Sequence, residues 1–72
     1  MDNWIKANYD QSSHYLRNDE LKGISTVILI SYRTFSGRNY VTTSLCDHGF
    51  IQKKRLNGII TAFMFMPKAF KE

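Results

Sequence analysis

The fold is decided by residues 25–46, which read STVILISYRTFSGRNYVTTSLC. Residues 25–34 and 39–46 are rich in β-branched and apolar side chains, the types most common in strands. Between them, Phe35-Ser36-Gly37-Arg38 supplies a turn with a glycine at its tip. The pattern predicts two long strands joined as an antiparallel hairpin.

Two more strands are predicted after this hairpin, and a turn at Asp47-His48-Gly49 leads into the first of them. Residues 50–54 form the third, and residues 59–65 form the fourth, which ends before Pro67 because proline lacks a ladder donor. The segment between them contains Asn57-Gly58, a pair that suits a tight type I′ hairpin turn. Four consecutive strands with short turns predict a mainly β fold, an antiparallel meander over residues 25–67.

The preceding residues, 1–24, form a polar leader with little periodicity. If Asn18–Gly23 makes a helical turn that stops at the glycine, the class becomes α+β; otherwise the segment is a loop. We predict a single domain over residues 1–72, in which the leader packs on the sheet. The leader side chains available for this packing are Trp4, Tyr9, Tyr15 and Leu16.

The first and last strands are apolar on both faces, because successive side chains alternate sides. On the first strand, Val27 and Leu29 oppose Ile28, Ile30 and Tyr32. On the last, the alternation predicts one face with Ile59, Phe63 and Phe65, and the other with Ile60, Ala62, Met64 and Met66. If the leader covers one face of the sheet, the other is closed by curling of the sheet into a barrel, by a second subunit, or by a ligand or partner. We favour a homo-oligomer, and the residues predicted for self-association or the core are Ile60, Phe63, Met64, Phe65 and Met66.

Composition bounds the class of protein. The 72 residues carry a net charge of +4, and eight of the ten lysine and arginine residues follow residue 20. Such a basic body suits nucleic acid, nucleotides or an acidic protein surface, or simply a solvated exterior. The single cysteine excludes an internal disulfide, and the longest apolar run, Val27–Ile30, is too short to cross a membrane. With no signal peptide visible, we expect a cytoplasmic protein.

Catalytic and metal-binding patterns are weak. Cys46-Asp47-His48 combines a thiol, a carboxylate and an imidazole, but neighbouring strand residues leave on opposite faces. A zinc site needs four ligands, and the four glycines are isolated turn residues rather than a phosphate-binding loop. The sequence therefore predicts no enzyme, no metal and no cofactor.

Basic residues interleaved with an aromatic side chain are a stronger indication of a binding site. They flank the first hairpin turn and crowd the connection before the last strand, and we expect both groups at the same end of the sheet. Together they form a candidate partner- or anion-binding rim; the alternative is a solvated end that discourages edge pairing. The residues are Arg33, Phe35, Arg38, Lys53, Lys54 and Arg55.

The two ends of the chain resemble a known family. IITAFMFMPKAFK, residues 59–71, is similar to the closing Val-Thr-His-Trp-Met-Pro-Leu-Pro-x-Pro-Pro-Lys of a small phage and prophage family, domain of unknown function 551. Trp4-Ile5 resembles its opening Trp-Ile, and Val27–Ile30 its Val-Leu-Val strand. Ala62 and Phe63 stand where the family has histidine and tryptophan. The resemblance implies a small viral accessory protein expressed in a bacterial host, with no site residues to carry over.

Four functions fit these features. The first is stoichiometric inhibition of a host protein, such as a CRISPR defence effector. The second is an oligomeric sponge that sequesters a nucleotide immune signal, the third is direct nucleic-acid binding, and the fourth is a structural role in the virion. We expect the inhibitor, with an unidentified host protein as its partner and no membrane partner.

Overall fold

The computed structural model describes residues 3–53 and 56–66. Within them the chain is mainly β, which confirms the predicted class, and the one helical segment is a single 3₁₀ turn, Asp19–Leu21. The strands are β1 (Ile5–Lys6), β2 (Tyr9–Asp10), β3 (Tyr15–Leu16), β4 (Ser25–Thr34), β5 (Asn39–Asp47), β6 (Phe50–Ile51) and β7 (Gly58–Phe65). All pairings are antiparallel, in the spatial order β1-β7-β4-β5-β6-β3-β2.

The predicted central hairpin is confirmed. β4 and β5 pair without interruption from Ser25 opposite Asp47 to Arg33 opposite Asn39. The turn closes through the Thr34 amide, which donates to the Arg38 carbonyl at 2.8 Å. Gly37 supplies the positive φ of 89° that a three-residue hairpin loop requires at its last position.

The predicted hairpin between the third and fourth strands is wrong. β6 has only two residues, and β7 pairs with β4 on the opposite side of the central hairpin. Lys53, which follows β6, lies on the inner side of β5, where its amide donates to Ser44 Oγ at 3.2 Å. A two-residue turn with two positive φ angles lies earlier, at His48 (49°) and Gly49 (94°), where it joins β5 to β6.

A β-bulge corrects the predicted faces of the last strand. Ser31 of β4 pairs with Ala62, but the next residue, Tyr32, pairs with Ile60, so β7 has one extra residue at Thr61. An inserted residue reverses the alternation on one side of the bulge. Ile60 therefore joins Phe63 on the buried face, 2% and 0% exposed, and Ile59 turns outward.

The leader extends the sheet at both edges as well as covering it. β1 pairs with β7, whereas β2 and β3 continue the sheet beyond β6. Only two residues separate β1 from β2, and the segment bridges both edges: the Ala7 amide donates to the Thr61 carbonyl, and Asn8 O accepts from the Arg17 amide. The sheet must therefore curl until its edges meet. Curling was one of the three alternatives for closing the face of the sheet that the leader does not cover, and the structure shows a curled sheet.

The curled sheet encloses one apolar core. Its members come from the leader, the central strands and β7, so the core joins every part of the described chain. Tyr9 packs against this core, whereas Tyr15 pairs with Phe50 on the outside, with ring centroids 4.6 Å apart. The fully buried apolar residues are Leu16, Leu21, Ile28, Ile30, Cys46, Ile51, Ile60 and Phe63.

Candidate interaction surfaces

The turn between β4 and β5 presents an aromatic side chain to solvent. Phe35 is 70% exposed, the highest value among the exposed large hydrophobic residues of the described chain. Its backbone is held firmly, because Thr34 O accepts from the Gly37 amide at 2.9 Å and Thr34 Oγ1 accepts from the Arg38 amide at 3.1 Å. Phe35 is thus an exposed apolar group on an ordered loop.

The connection before β7 returns to this same end of the sheet. The Phe35 amide donates to the Asn57 carbonyl at 3.3 Å. The β4–β5 turn and the residue before β7 thus meet at one end of the sheet, as expected for the two segments. Gly58 then pairs with Thr34, and a Cβ at Gly58 would collide with the Arg33 carbonyl oxygen. Glycine is needed here for close backbone approach rather than for a positive φ.

The predicted basic rim is divided among different surfaces. Arg33 lies on the outer face of the sheet, with its Nε 3.4 Å from Asn39 Oδ1. Arg38 is exposed in the turn, next to Phe35. Lys53 lies on the inner side of β5, where its Nζ donates to Thr42 Oγ1 at 3.2 Å. Lys54 and Arg55 lie outside the described residues.

The outer face of the central strands is apolar and uncovered within the described chain. Val27 and Leu45 form one cross-strand pair, and Val41 pairs with Ser31. Their neighbours on the same face are Leu29, Ala62 and Met64, all partly buried. The exposed fractions are 43% for Val27, 58% for Val41, 46% for Leu45 and 45% for Ile59. Val41 and Leu45 were not among the predicted site residues, although their alternation with polar residues along β5 was a usable signal.

The residues predicted for self-association or the core are divided between the two faces. Ile60 and Phe63 are core residues, and Met64 lies on the outer face opposite Leu29. Phe65 is 38% exposed and packs edge-on against Phe63, with ring centroids 5.9 Å apart. Met66 follows the strand and is 45% exposed.

Charges of opposite sign mark the two ends of the outer face. Arg33 stands at the turn end of the β4–β5 pair, and Asp47 stands at the far end, paired with Ser25. His48 Nδ1 lies 3.3 Å from Asp47 Oδ1. Between these ends, the outer-face positions of β4 and β5 are apolar or hydroxyl-bearing: Val27, Leu29, Ser31, Val41, Thr43 and Leu45.

The carboxylate of Asp10 accepts hydrogen bonds from within the β2–β3 hairpin and forms an ion pair with Arg17. Ser12 donates to it from both its hydroxyl, at 2.7 Å, and its backbone amide, at 3.1 Å. Arg17 forms an ion pair with it at 2.9 Å. The hydrogen bonds from Ser12, followed by those from Arg17 and Ser13, hold the pKa of Asp10 well below its usual value.

The Cys46-Asp47-His48 sequence does not converge on a site. Cys46 is fully buried on the inner face, while Asp47 and His48 are exposed. Burial is also the main cause that raises the pKa of the Cys46 thiol, which disfavours the reactive thiolate. Among the described residues, no group of three potential metal ligands and no ligand-sized pocket is found.

Comparison of the chain with protein-family models, with curated proteins and with solved structures finds no match. The resemblance to the phage family therefore stays a prediction. Over residues 3–53 and 56–66, no helix has the length and hydropathy that a membrane crossing requires.

Proposed function

We propose that this protein acts by stoichiometric binding to another protein, and that Phe35 is the centre of the contact. The observation that carries the proposal is the exposure of this phenylalanine, 70%, on a hydrogen-bonded turn between two arginines. Aromatic residues and arginine are enriched in protein interfaces, where a few such residues supply most of the binding energy.

The ordered turn adds to this argument. Binding an ordered loop costs less conformational entropy than binding a mobile one. Thr34 contributes to the order through backbone bonds to Gly37 and Arg38 and a side-chain bond to Ser36 Oγ at 2.8 Å. A partner thus meets Phe35 in a fixed position.

The charge of the turn indicates the chemistry of the partner. Arg33 and Arg38 flank Phe35 in the sequence, and the whole chain carries a net charge of +4. An acidic protein surface with a shallow apolar pocket suits this arrangement. Together with the resemblance to a phage family, this favours a host protein in the bacterial cytoplasm, such as a defence effector, as the target.

The test is capture of a defined complex. Tagged protein is incubated with host lysate, and the product is sized and identified by mass spectrometry. Phe35→Ala and Arg38→Glu should each lose the host protein, whereas Lys6→Glu, the same charge change on β1, should retain it. Retention by all three variants would contradict the proposal.

Nucleic acid is the competing partner, and salt separates the two. Affinity that falls steeply with salt, and that depends on Lys53 more than on Phe35, would indicate binding to phosphates. Affinity that depends mainly on Phe35 and changes little with salt supports a protein partner.

A further inference from the structure

We propose that the outer face of β4, β5 and β7 binds a second copy of this chain, with the strands of the two copies running in opposite directions. This inference does not rest on the proposed function; it concerns the outer face, which shares Arg33 with the Phe35 turn. Monomeric soluble proteins seldom expose a continuous apolar patch of this kind. Here Val27, Val41, Leu45 and Ile59 are each more than 40% exposed.

The outermost strands of the sheet are short. β1 and β2 have two residues each, and the segment that joins them closes the curled sheet. The longest stretch of a described strand that lacks a strand neighbour on one side is Asn39–Ser44 of β5, and such an edge is the alternative surface for association. The broad face of the long strands is the larger surface available for packing.

The charge pattern of this face identifies the occupant as another copy. Arg33 and Asp47 lie at opposite ends, eight residues apart along the paired strands, or roughly 27 Å at the rise of an antiparallel strand. If two copies packed with their strands in the same direction, each arginine would face an arginine. If the direction is reversed, Arg33 of each copy comes to the end that holds Asp47 of the partner. The face is therefore complementary to itself in one orientation.

The side chains between the charged ends fit the same symmetry. The midpoint of the face is the cross-strand pair Leu29 and Thr43. A two-fold axis through this point, parallel to the sheet and perpendicular to the strands, packs Leu29 against its own copy and places Leu45 over Val41 of the partner. On β4 it places Val27 over Ser31 of the partner. Packed sheets lie about 10 Å apart with their strands within roughly 30° of alignment, which leaves these pairs in contact.

The dimer has a consequence for the Phe35 turns. Because the strands of the two copies run in opposite directions, the turns lie at opposite ends of the assembly. Each copy is 42 Å long, so the two turns cannot contact one surface patch of a small target. The assembly would bind two partner molecules, one at each end.

The experiment is sedimentation equilibrium of the full chain and five variants over a range of concentrations. The wild type should sediment with twice the 8.4 kDa mass of one chain. Leu45→Lys should give a monomer, since it places a charge in the apolar centre of the interface. Gln11→Lys, the same kind of change at an exposed turn position of the leader, should leave the dimer intact. Circular dichroism and thermal melting show whether each variant remains folded.

Charge reversal tests the orientation. Arg33→Glu and Asp47→Lys should each raise the dimer dissociation constant about tenfold, because like charges then meet twice per dimer. The double variant should return the constant to within about threefold of the wild-type value. A monomeric wild type, a dimer insensitive to Leu45→Lys, or a double variant as weak as the singles would overturn the proposal. A folded wild-type monomer that binds a host protein, with binding lost in Leu45→Lys, would overturn it too and assign the face to that partner.

Discussion

His14 and Lys53, 39 residues apart in sequence, are joined by a hydrogen bond of 2.6 Å from His14 Nε2 to the Lys53 carbonyl oxygen. A carbonyl oxygen only accepts, so Nε2 carries the proton, and in a neutral ring Nδ1 must accept. It does so from the Tyr9 hydroxyl at 2.6 Å, and burial raises the pKa of that hydroxyl, which keeps it protonated. The histidine thus ties the β2–β3 hairpin to Lys53, which follows β6.

Replacing His14 should therefore loosen both segments. His14→Ala leaves the Tyr9 hydroxyl and the Lys53 carbonyl without this partner and should lower the free energy of unfolding by about 1–3 kcal/mol. His14 also has a φ of 57°, which alanine adopts poorly and asparagine tolerates. Urea unfolding of His14→Ala and His14→Asn separates the two causes. Equal stability of His14→Asn and the wild type would show that the hydrogen bonds contribute nothing.

Gly58 is the one glycine of the described chain without a positive φ, yet alanine should be poorly tolerated there. Its added Cβ would meet the backbone of Arg33 and Thr34, which cannot move without breaking the β4–β7 pairing. We expect Gly58→Ala to cost about 2–4 kcal/mol of stability, within the range of disruptive core changes. Gly23→Ala is the control, because Gly23 has a φ of 71° but nothing within 4 Å of the added Cβ. Its cost should be about 1 kcal/mol. Thermal or urea unfolding gives both values, and a smaller effect at Gly58 would contradict the close approach.

The central hairpin was predictable because it depends on local signals. Residues 25–34 and 39–46 are long enough to display strand composition, and Gly37 marks the turn. The turn at His48-Gly49 was predicted as well, but the two-residue turn with two positive φ angles was predicted at Asn57-Gly58 instead. Both pairs contain glycine, and only the spatial pairing shows that Gly58 serves a backbone contact.

The remaining topology depends on contacts that leave little trace in sequence. β1, β2, β3 and β6 have two residues each, too few for any periodicity. The bulge at Thr61 also has no signal in the sequence, since threonine suits a regular strand. Its effect is to exchange the predicted faces of Ile59 and Ile60. Of the candidate sites, the Phe35 turn followed from the hairpin, while Val41 and Leu45 became notable only when β5 was seen to lack a cover on its outer face.

Stability should depend on the ionisation of Asp10 at low pH. Its pKa is lower in the folded protein than in the unfolded chain, so the carboxylate stabilises the fold above its unfolded pKa, about 3.9. That contribution is lost as the pH falls through the folded value. The melting temperature of the wild type should therefore decline more steeply below about pH 4 than that of Asp10→Asn. Glu20→Gln, an exposed carboxyl change on the 3₁₀ turn, serves as the control. Parallel curves for Asp10→Asn and the wild type would contradict a role for the Ser12 and Arg17 bonds.

Phe63 and Phe65 test the assignment of the two ends of β7. Phe63 is fully buried, and truncation to alanine removes a large side chain and leaves a cavity, so Phe63→Ala should lower the free energy of unfolding by about 3–5 kcal/mol. Phe65 lies on the same face but is 38% exposed, beyond the centre of the core, and Phe65→Ala should cost about 1 kcal/mol, mostly the edge-on contact with Phe63. Urea denaturation measures both values. Phe63 is not part of the proposed outer-face dimer. The destabilisation caused by Phe63→Ala should therefore be the same at every protein concentration. A cost below about 1 kcal/mol at Phe63 would place this residue on a surface and undo the assignment of faces on β7.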